Sequence, residues 1–288
     1  MDEITNAARR RVKTGGFELA VLDVGEGPAV LLLHGFPSSA MDWRHQVPAL
    51  VATGYRVVAP DLLGLGKSDK PAGTEHYAAV QDLARTVDLL AALGIERARV
   101  VCHDRGAGIG WALAALHPGR VEQLVAMTVG HPNALRDPRV EQRERSWYML
   151  LFQFASAEEQ LRRDGWRLFR DLLRHHPETD AWIANLSAEG ALTAALGWYR
   201  ANRHPDAPPR PPLPDVLAPT LGLWAPGDHY LLPDGVIESH RFVRGPWRCE
   251  RVDGASHFLM LDRPAHVTEL ILDFFAEQPR PGQDGPIK

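Results

Sequence analysis

Val100-Val101-Cys102-His103-Asp104-Arg105-Gly106-Ala107-Gly108 is an apolar run that breaks into a tight turn and passes at once into a helical pattern over 109–117. A strand-to-helix elbow of this kind, with small residues around one reactive side chain, lifts that side chain out at the end of a sheet as a nucleophile. Here it is the carboxylate of Asp104. A serine at this place would attack acyl carbons, whereas a carboxylate suits displacement at a saturated carbon and leaves an ester between enzyme and substrate. The chemistry narrows to epoxide opening or dehalogenation.

With 288 residues, 45% hydrophobic and 24% charged, the chain can bury a large core, as one α/β unit or as a core with an inserted lobe. A net charge of −4 gives no electrostatic reason to expect nucleic acid or an anionic membrane as partner. Residues 1–16 are polar and basic without an apolar signal core, and the longest apolar runs are strand-sized, so a cytoplasmic protein is expected. Cys102 and Cys249 have neither metal-ligand spacing nor the density of a disulfide framework. Cys102, two residues before the elbow, reads as a small core residue rather than a second nucleophile.

Strand-like runs alternate with helical ones, as a mostly parallel, doubly wound α/β sheet requires. Runs 17–24 and 28–34 read as an opening antiparallel hairpin through Gly25-Glu26-Gly27. Runs 55–60, 98–102, 121–129, 219–225 and 247–252 read as parallel strands, and 80–93, 107–117 and 264–277 as helices. The rhythm breaks at 133–212, a charged, tryptophan-rich, helical stretch ending in the proline-rich linker 205–212. This predicts a helical cap over the carboxyl edge of the sheet, where such sheets bind ligands, inserted between core segments 1–132 and 213–288. The Pro/Gly-rich tail 278–288 reads as frayed.

Three more stretches surround the elbow. His34-Gly35-Phe36-Pro37 follows a strand where a loop can supply a backbone N–H, Phe36 pairing with Arg105 as an oxyanion hole. Asp228 lies just past the strand 219–225, and His257 just past 247–252. The order nucleophile, acid, histidine is that of the hydrolase fold, though a lone post-strand Asp is often a turn residue and a lone His structural. Asp137, an alternative orienting acid, reads as a salt-bridge residue of the cap entry. His175-His176 reads as a solvated helix end, and His103 should point to the side of the elbow away from Asp104.

Over about 17–275 the chain resembles the epoxide hydrolases of the α/β-hydrolase superfamily. The resemblance rests on His34-Gly35-Phe36-Pro37, His103-Asp104-Arg105-Gly106, Pro60-Asp61-Leu62-Leu63-Gly64-Leu65-Gly66-Lys67-Ser68-Asp69 and Gly130-His131-Pro132. Two stretches of the cap add to it, Trp147-Tyr148-Met149-Leu150-Leu151-Phe152-Gln153 and Gly197-Trp198-Tyr199-Arg200. It implies Asp104 as nucleophile, His257 as base, Asp228 as orienting acid and Tyr148 and Tyr199 as ring-opening acids. Opening an epoxide creates an alkoxide, a stronger base than phenolate, so phenols of ordinary pKa, about 10, can donate to it without prior activation. Trp147, Trp182 and Trp198 suggest an apolar or aromatic epoxide, with Trp147 and Trp198 as the candidate substrate contacts. Neither metal nor redox cofactor is expected; a small-molecule epoxide is the expected partner, and a homodimer is admissible.

The family pattern has Gly two residues before the nucleophile and Trp just after it, where this chain has Cys102 and Arg105. His-Asp-Arg-Gly is similar to the fluoroacetate dehalogenases, whose arginine at that place helps bind the substrate carboxylate, so haloacid dehalogenation is the alternative. Against it stand Gly108, where those enzymes carry a second arginine, and Trp147-Tyr148, where they carry a halide-binding His-Trp pair. The Arg105 side chain is expected to be free for substrate or cap. A catalytically silent receptor of the same fold would lack Asp104, His257 or the oxyanion loop, and all are present.

Overall fold

A computed structural model describes residues 9–204 and 211–277. Its strands are β1 (Arg9–Thr14), β2 (Phe17–Val24), β3 (Ala29–Leu33), β4 (Arg56–Pro60), β5 (Ala98–His103), β6 (Val121–Met127), β7 (Thr220–Trp224) and β8 (Trp247–Arg251). They form one eight-stranded sheet in the order β1-β2-β4-β3-β5-β6-β7-β8, antiparallel at β1–β2 and β2–β4 and parallel from β4 onward. The expected α/β architecture is present.

The opening hairpin is not the expected one. β2 pairs with β1 through a two-residue turn at Gly15 and Gly16, with φ of 54° and 88°, the left-handed geometry that matches strand twist in tight hairpins. β3 lies one place further in, between β4 and β5. The cause is visible in the residues. Val30, Leu31, Leu32 and Leu33 are buried on both faces, as a central parallel strand requires. Arg9–Thr14 is polar because it is the edge strand, and Arg10, Arg11 and Lys13 face water.

Helices α1 (Gln46–Ala52), α2 (Ala79–Ala92) and α3 (Arg105–Leu116) follow the early strands. Between β6 and residue 204 the chain holds no strand among the described residues but a 3-10 turn (Pro132–Leu135) and the helices α4 (Val140–Arg145), α5 (Tyr148–Leu151), α6 (Ala157–Leu172), α7 (Thr179–Leu186) and α8 (Ala191–Asn202). Helix α6 is broken where Asp164, Gly165 and Trp166 turn left-handed. The last helices are α9 (Asp234–Ile237), α10 (Leu259–Asp262) and α11 (Pro264–Ala276). One face of the sheet is covered by α2 and α3 and the other by α1 and α11, giving two apolar layers, and the buried residues of the helices 140–202 pack onto the layer that holds α2 and α3. Among the described residues no helix is long and apolar enough to cross a membrane. Linker residues 205–210 and the tail 278–288 lie outside the described residues.

Candidate active site

Strand β5 delivers Asp104 to the carboxyl edge of the sheet with φ 50° and ψ −120°, a backbone conformation that costs a non-glycine residue energy and persists only where its surroundings hold it. They do so by close packing. A Cβ on Gly106 would stand 2.2 Å from the Leu33 carbonyl oxygen, and one on Gly35 2.3 Å from the Cβ of Asp104, so both positions require glycine. Cys102 is fully buried, its thiol 3.3 Å from the Val125 carbonyl, and burial pushes its pKa up, in keeping with a packing role.

The backbone N–H of Phe36 donates to Asp104 Oδ1 at 2.8 Å. Arg105 opens α3, so its N–H is one of the helix's four without an intrahelical acceptor. The His34 loop is braced from below. Nε2 of His34 accepts from Leu62 N–H at 3.0 Å, which leaves Nδ1 to donate to the Gly35 carbonyl at 2.8 Å. Burial lowers its pKa to about 4, so the ring is neutral. Asp61 accepts from the N–H groups of Ala40 and Lys67, both at 2.8 Å, tying the loop after β4 to the oxyanion loop.

His257 joins the two carboxylates. Its Nδ1 is 2.8 Å from Asp228 Oδ2, and its Nε2 is 3.7 Å from Asp104 Oδ2. The other Asp228 oxygen accepts from the N–H groups of Tyr230 at 2.8 Å and Leu231 at 3.0 Å, which fixes the carboxylate. Burial alone would depress His257, but Asp228 and Asp104 outweigh it and push the pKa up to about 10. Burial would raise Asp104; His257 and the Phe36 N–H outweigh it and hold the carboxyl well below the usual carboxylate range. The Asp104 side chain is 17% exposed although it lies deep in the molecule, so a cavity reaches it.

Tyr148 and Tyr199, from α5 and α8, are buried with ring centroids 6.0 Å apart. Tyr199 also packs edge-on against Phe36 at 5.3 Å, beside the N–H that holds Asp104. Burial, with the Asp104 charge acting in the same direction, raises both phenols well above their ordinary pKa, so both stay protonated. The two helices are cross-linked. Gln153 donates to the Tyr199 carbonyl at 3.2 Å, and Arg200 to the Phe152 carbonyl at 3.0 Å.

Arg105 departs from expectation. Its guanidinium is buried and points away from the cavity into a fork with Asp82 of α2, Nε–Oδ2 3.0 Å and Nη2–Oδ1 2.9 Å. Trp198 covers it, with the guanidinium carbon 5.8 Å from the indole centre. It is therefore not free to bind substrate. Trp147 is half-exposed at the rim of a separate cleft. Asp137 is a solvated partner of Arg143, as expected.

His103, Tyr230 and His176 correct the reading further. His103 does not stand clear of the site: its Nε2 is 2.9 Å from the His257 carbonyl and the two rings are 4.7 Å apart. Burial lowers its pKa to about 3, so it is a neutral ring that donates to the backbone of the base. Tyr230, unassigned from sequence, packs on both His257 and Tyr148, at 5.0 and 5.8 Å. Its position two residues after Asp228 was the available signal. His175 is exposed as expected, but His176 is stacked on Trp182 and pairs with Asp262 at 3.1 Å. No cluster of ligands able to hold a metal ion occurs among the described residues.

The family model for the alpha/beta hydrolase fold matches residues 28–264. Epoxide hydrolase 3 of Xenopus tropicalis is 35% identical over 286 residues, 93% of this chain and 77% of that protein. Epoxide hydrolase A of Mycobacterium tuberculosis is 32% identical over 92% of this chain and 96% of its own length. Among solved structures, the Bacillus megaterium epoxide hydrolase in complex with an inhibitor superposes with a TM-score of 0.84 at 25% identity, covering 93% of this chain and 100% of that one. With the elbow aspartate, the His257–Asp228 pair and both buried phenols in place, the chain belongs to the epoxide hydrolases of the α/β-hydrolase fold.

Proposed function

We propose that this chain hydrolyses an apolar or aromatic epoxide to a vicinal diol in the cytoplasm, with helical segment 133–212 acting as the cap over core segments 1–132 and 213–288. Asp104 Oδ1 is held by Phe36 N–H, so Oδ2 is the oxygen left to attack the epoxide carbon. The C–O bond of the ring breaks as the ester forms, and Tyr148 and Tyr199 hold and protonate the departing alkoxide. His257 then takes a proton from water, which adds to the Asp104 carboxyl carbon. The negative charge develops on Oδ1, already beside Phe36 N–H and within the reach assigned to Arg105 N–H. Collapse of this intermediate breaks the ester C–O bond, His257 returns its proton to the leaving diol oxygen, and the proton given up by the regenerated Asp104 carboxyl restores the phenol.

The base is tuned by the reaction itself. Esterification removes the Asp104 charge, one of the two carboxylates that raise His257, so the imidazole becomes easier to deprotonate when a base is required.

The observation that carries the reading is the pair of protonated phenols packed against each other, with Tyr199 also against Phe36. An alkoxide needs a proton; a halide does not. Haloacid dehalogenation loses support because the Arg105 guanidinium is committed to Asp82. The test is rapid-quench measurement of ester formation. Tyr148→Phe or Tyr199→Phe is expected to slow it about 10- to 1,000-fold, roughly 1.4 to 4 kcal/mol, and the double variant to stop it nearly completely. Near wild-type ester formation from an epoxide in the double variant would remove the acid pair from the mechanism, and release of fluoride from fluoroacetate would support the alternative.

A further inference from the structure

Arg105 serves two partners. Its backbone N–H is assigned to the oxyanion hole, while its guanidinium runs into the interior with the side chain only 2% exposed. Three hydrogen bonds fix that group to the core: Nε and Nη2 donate to Asp82, and Nη1 donates to the Leu63 carbonyl at 3.3 Å. The nitrogens are thus spent on the core. What the guanidinium still offers is its flat face, and Trp198 of α8 lies over it at 5.8 Å.

Trp198 precedes Tyr199 in the chain, and the two rings stand nearly perpendicular with centroids 5.1 Å apart. The Trp198 Nε1 is buried without an acceptor among the described residues, so the indole is held by what it stacks on rather than by a hydrogen bond. The same helix is pinned to the core one turn further on. Asn202 donates from Nδ2 to the Tyr77 carbonyl at 2.7 Å, and its Oδ1 accepts from Ala79 N–H at 2.8 Å, at the start of the helix α2 that carries Asp82. Tyr148 is supported differently. Its ring neighbours are Phe152, Tyr199 and Tyr230, and it stands on the four-residue helix α5.

We infer that the Arg105 side chain is a positioning residue for ring opening: it holds Trp198, and through Trp198 the Tyr199 phenol, where the epoxide oxygen departs. The residue after the nucleophile then serves both chemical steps, the first through its side chain and the second through its N–H. This role rests on the reading of the chain as an epoxide hydrolase with Tyr148 and Tyr199 as its acids, and gives the guanidinium a task other than binding substrate. Rate is sensitive to such support, because a donor misplaced by about 1 Å can cost about 100-fold. A guanidinium fixed at three nitrogens is a stiff platform for the indole.

The test is a double-mutant cycle on the rate of ester formation from styrene oxide, read by rapid quench, with Arg105→Met alone and combined with Tyr148→Phe or with Tyr199→Phe. Arg105→Met alone should slow the step about tenfold. In the Tyr148→Phe background, where Tyr199 is the remaining donor, the loss should be at least as large. In the Tyr199→Phe background it should shrink to about twofold or less, because no phenol is left for Arg105 to position. Ester hydrolysis should fall less than ester formation, whereas a displaced elbow would slow both steps alike. Trp198→Leu, which lies outside the elbow, should show the same dependence on Tyr199 and decides the matter if Arg105→Met does not fold. Equal losses in all three backgrounds, or no loss in any, would overturn the positioning role and leave epoxide hydrolysis standing. Ester formation at the wild-type rate in Tyr199→Phe itself would instead remove Tyr199 from ring opening and overturn the reading on which the role rests.

Discussion

At the scale of the residue, His257 carries the most consequential electrostatics, because two carboxylates hold its proton and only one of them survives the first chemical step. Its pKa of about 10 in the free protein stands above the ordinary histidine value of about 6.5. The two steps should therefore separate by pH. Ester formation needs ionised Asp104, held below the usual carboxylate range, and is expected to be flat across neutral pH. Ester hydrolysis needs neutral His257 and should rise with pH to a plateau, with an apparent pKa below that of the free protein. Pre-steady-state rates across pH check this, and a hydrolysis rate falling from pH 6 to 9 would contradict it. The stability contribution of the raised pKa has the sign of a protonated folded state: it is fully present below about pH 6.5 and is lost as pH rises through about 10.

At the scale of the element, the junction of α2, α3 and α8 takes its form from one buried anion. Asp82 receives the fork of Arg105 and a bond from Arg85 at 3.2 Å, while Trp198 of α8 lies over Arg105, one residue from Tyr199. Two buried guanidiniums share one carboxylate, so the partners are not equivalent. Asp82→Asn leaves both cations without an anion and should destabilise the fold by about 3–5 kcal/mol. Arg105→Met leaves Asp82 paired with Arg85 and should cost less. Denaturant unfolding of the two variants checks the order, and equal costs would show that Arg85 does not support Asp82. None of this was legible in the sequence, where Asp82 is one polar residue on an amphipathic helix and Arg105 reads as an available cation. The elbow was legible because Asp104, Gly106 and the apolar run before them must be contiguous to make it. The β1–β2 hairpin was not, because Arg9–Thr14 carries a single large apolar residue, Val12, and an edge strand of that composition is indistinguishable from the rest of the polar, basic stretch 1–16.

At the scale of the molecule, the sheet brings together residues 34–37, 104–105, 228 and 257 because the strands before them end on one edge, an arrangement the alternation of strand and helix already implied. Contacts between distant side chains were less readable. His103 against His257, and Tyr230 between His257 and Tyr148, depend on how loops pack over that edge, which periodicity does not encode. The central claim, that water reaches the product only through Asp104, has a direct test in a single turnover in heavy-oxygen water with enzyme in excess. Mass spectrometry of the diol and of the peptide containing Asp104 should find the diol unlabelled and heavy oxygen in the Asp104 carboxylate. A labelled diol with an unlabelled Asp104 would contradict it, since water would then have attacked the epoxide itself.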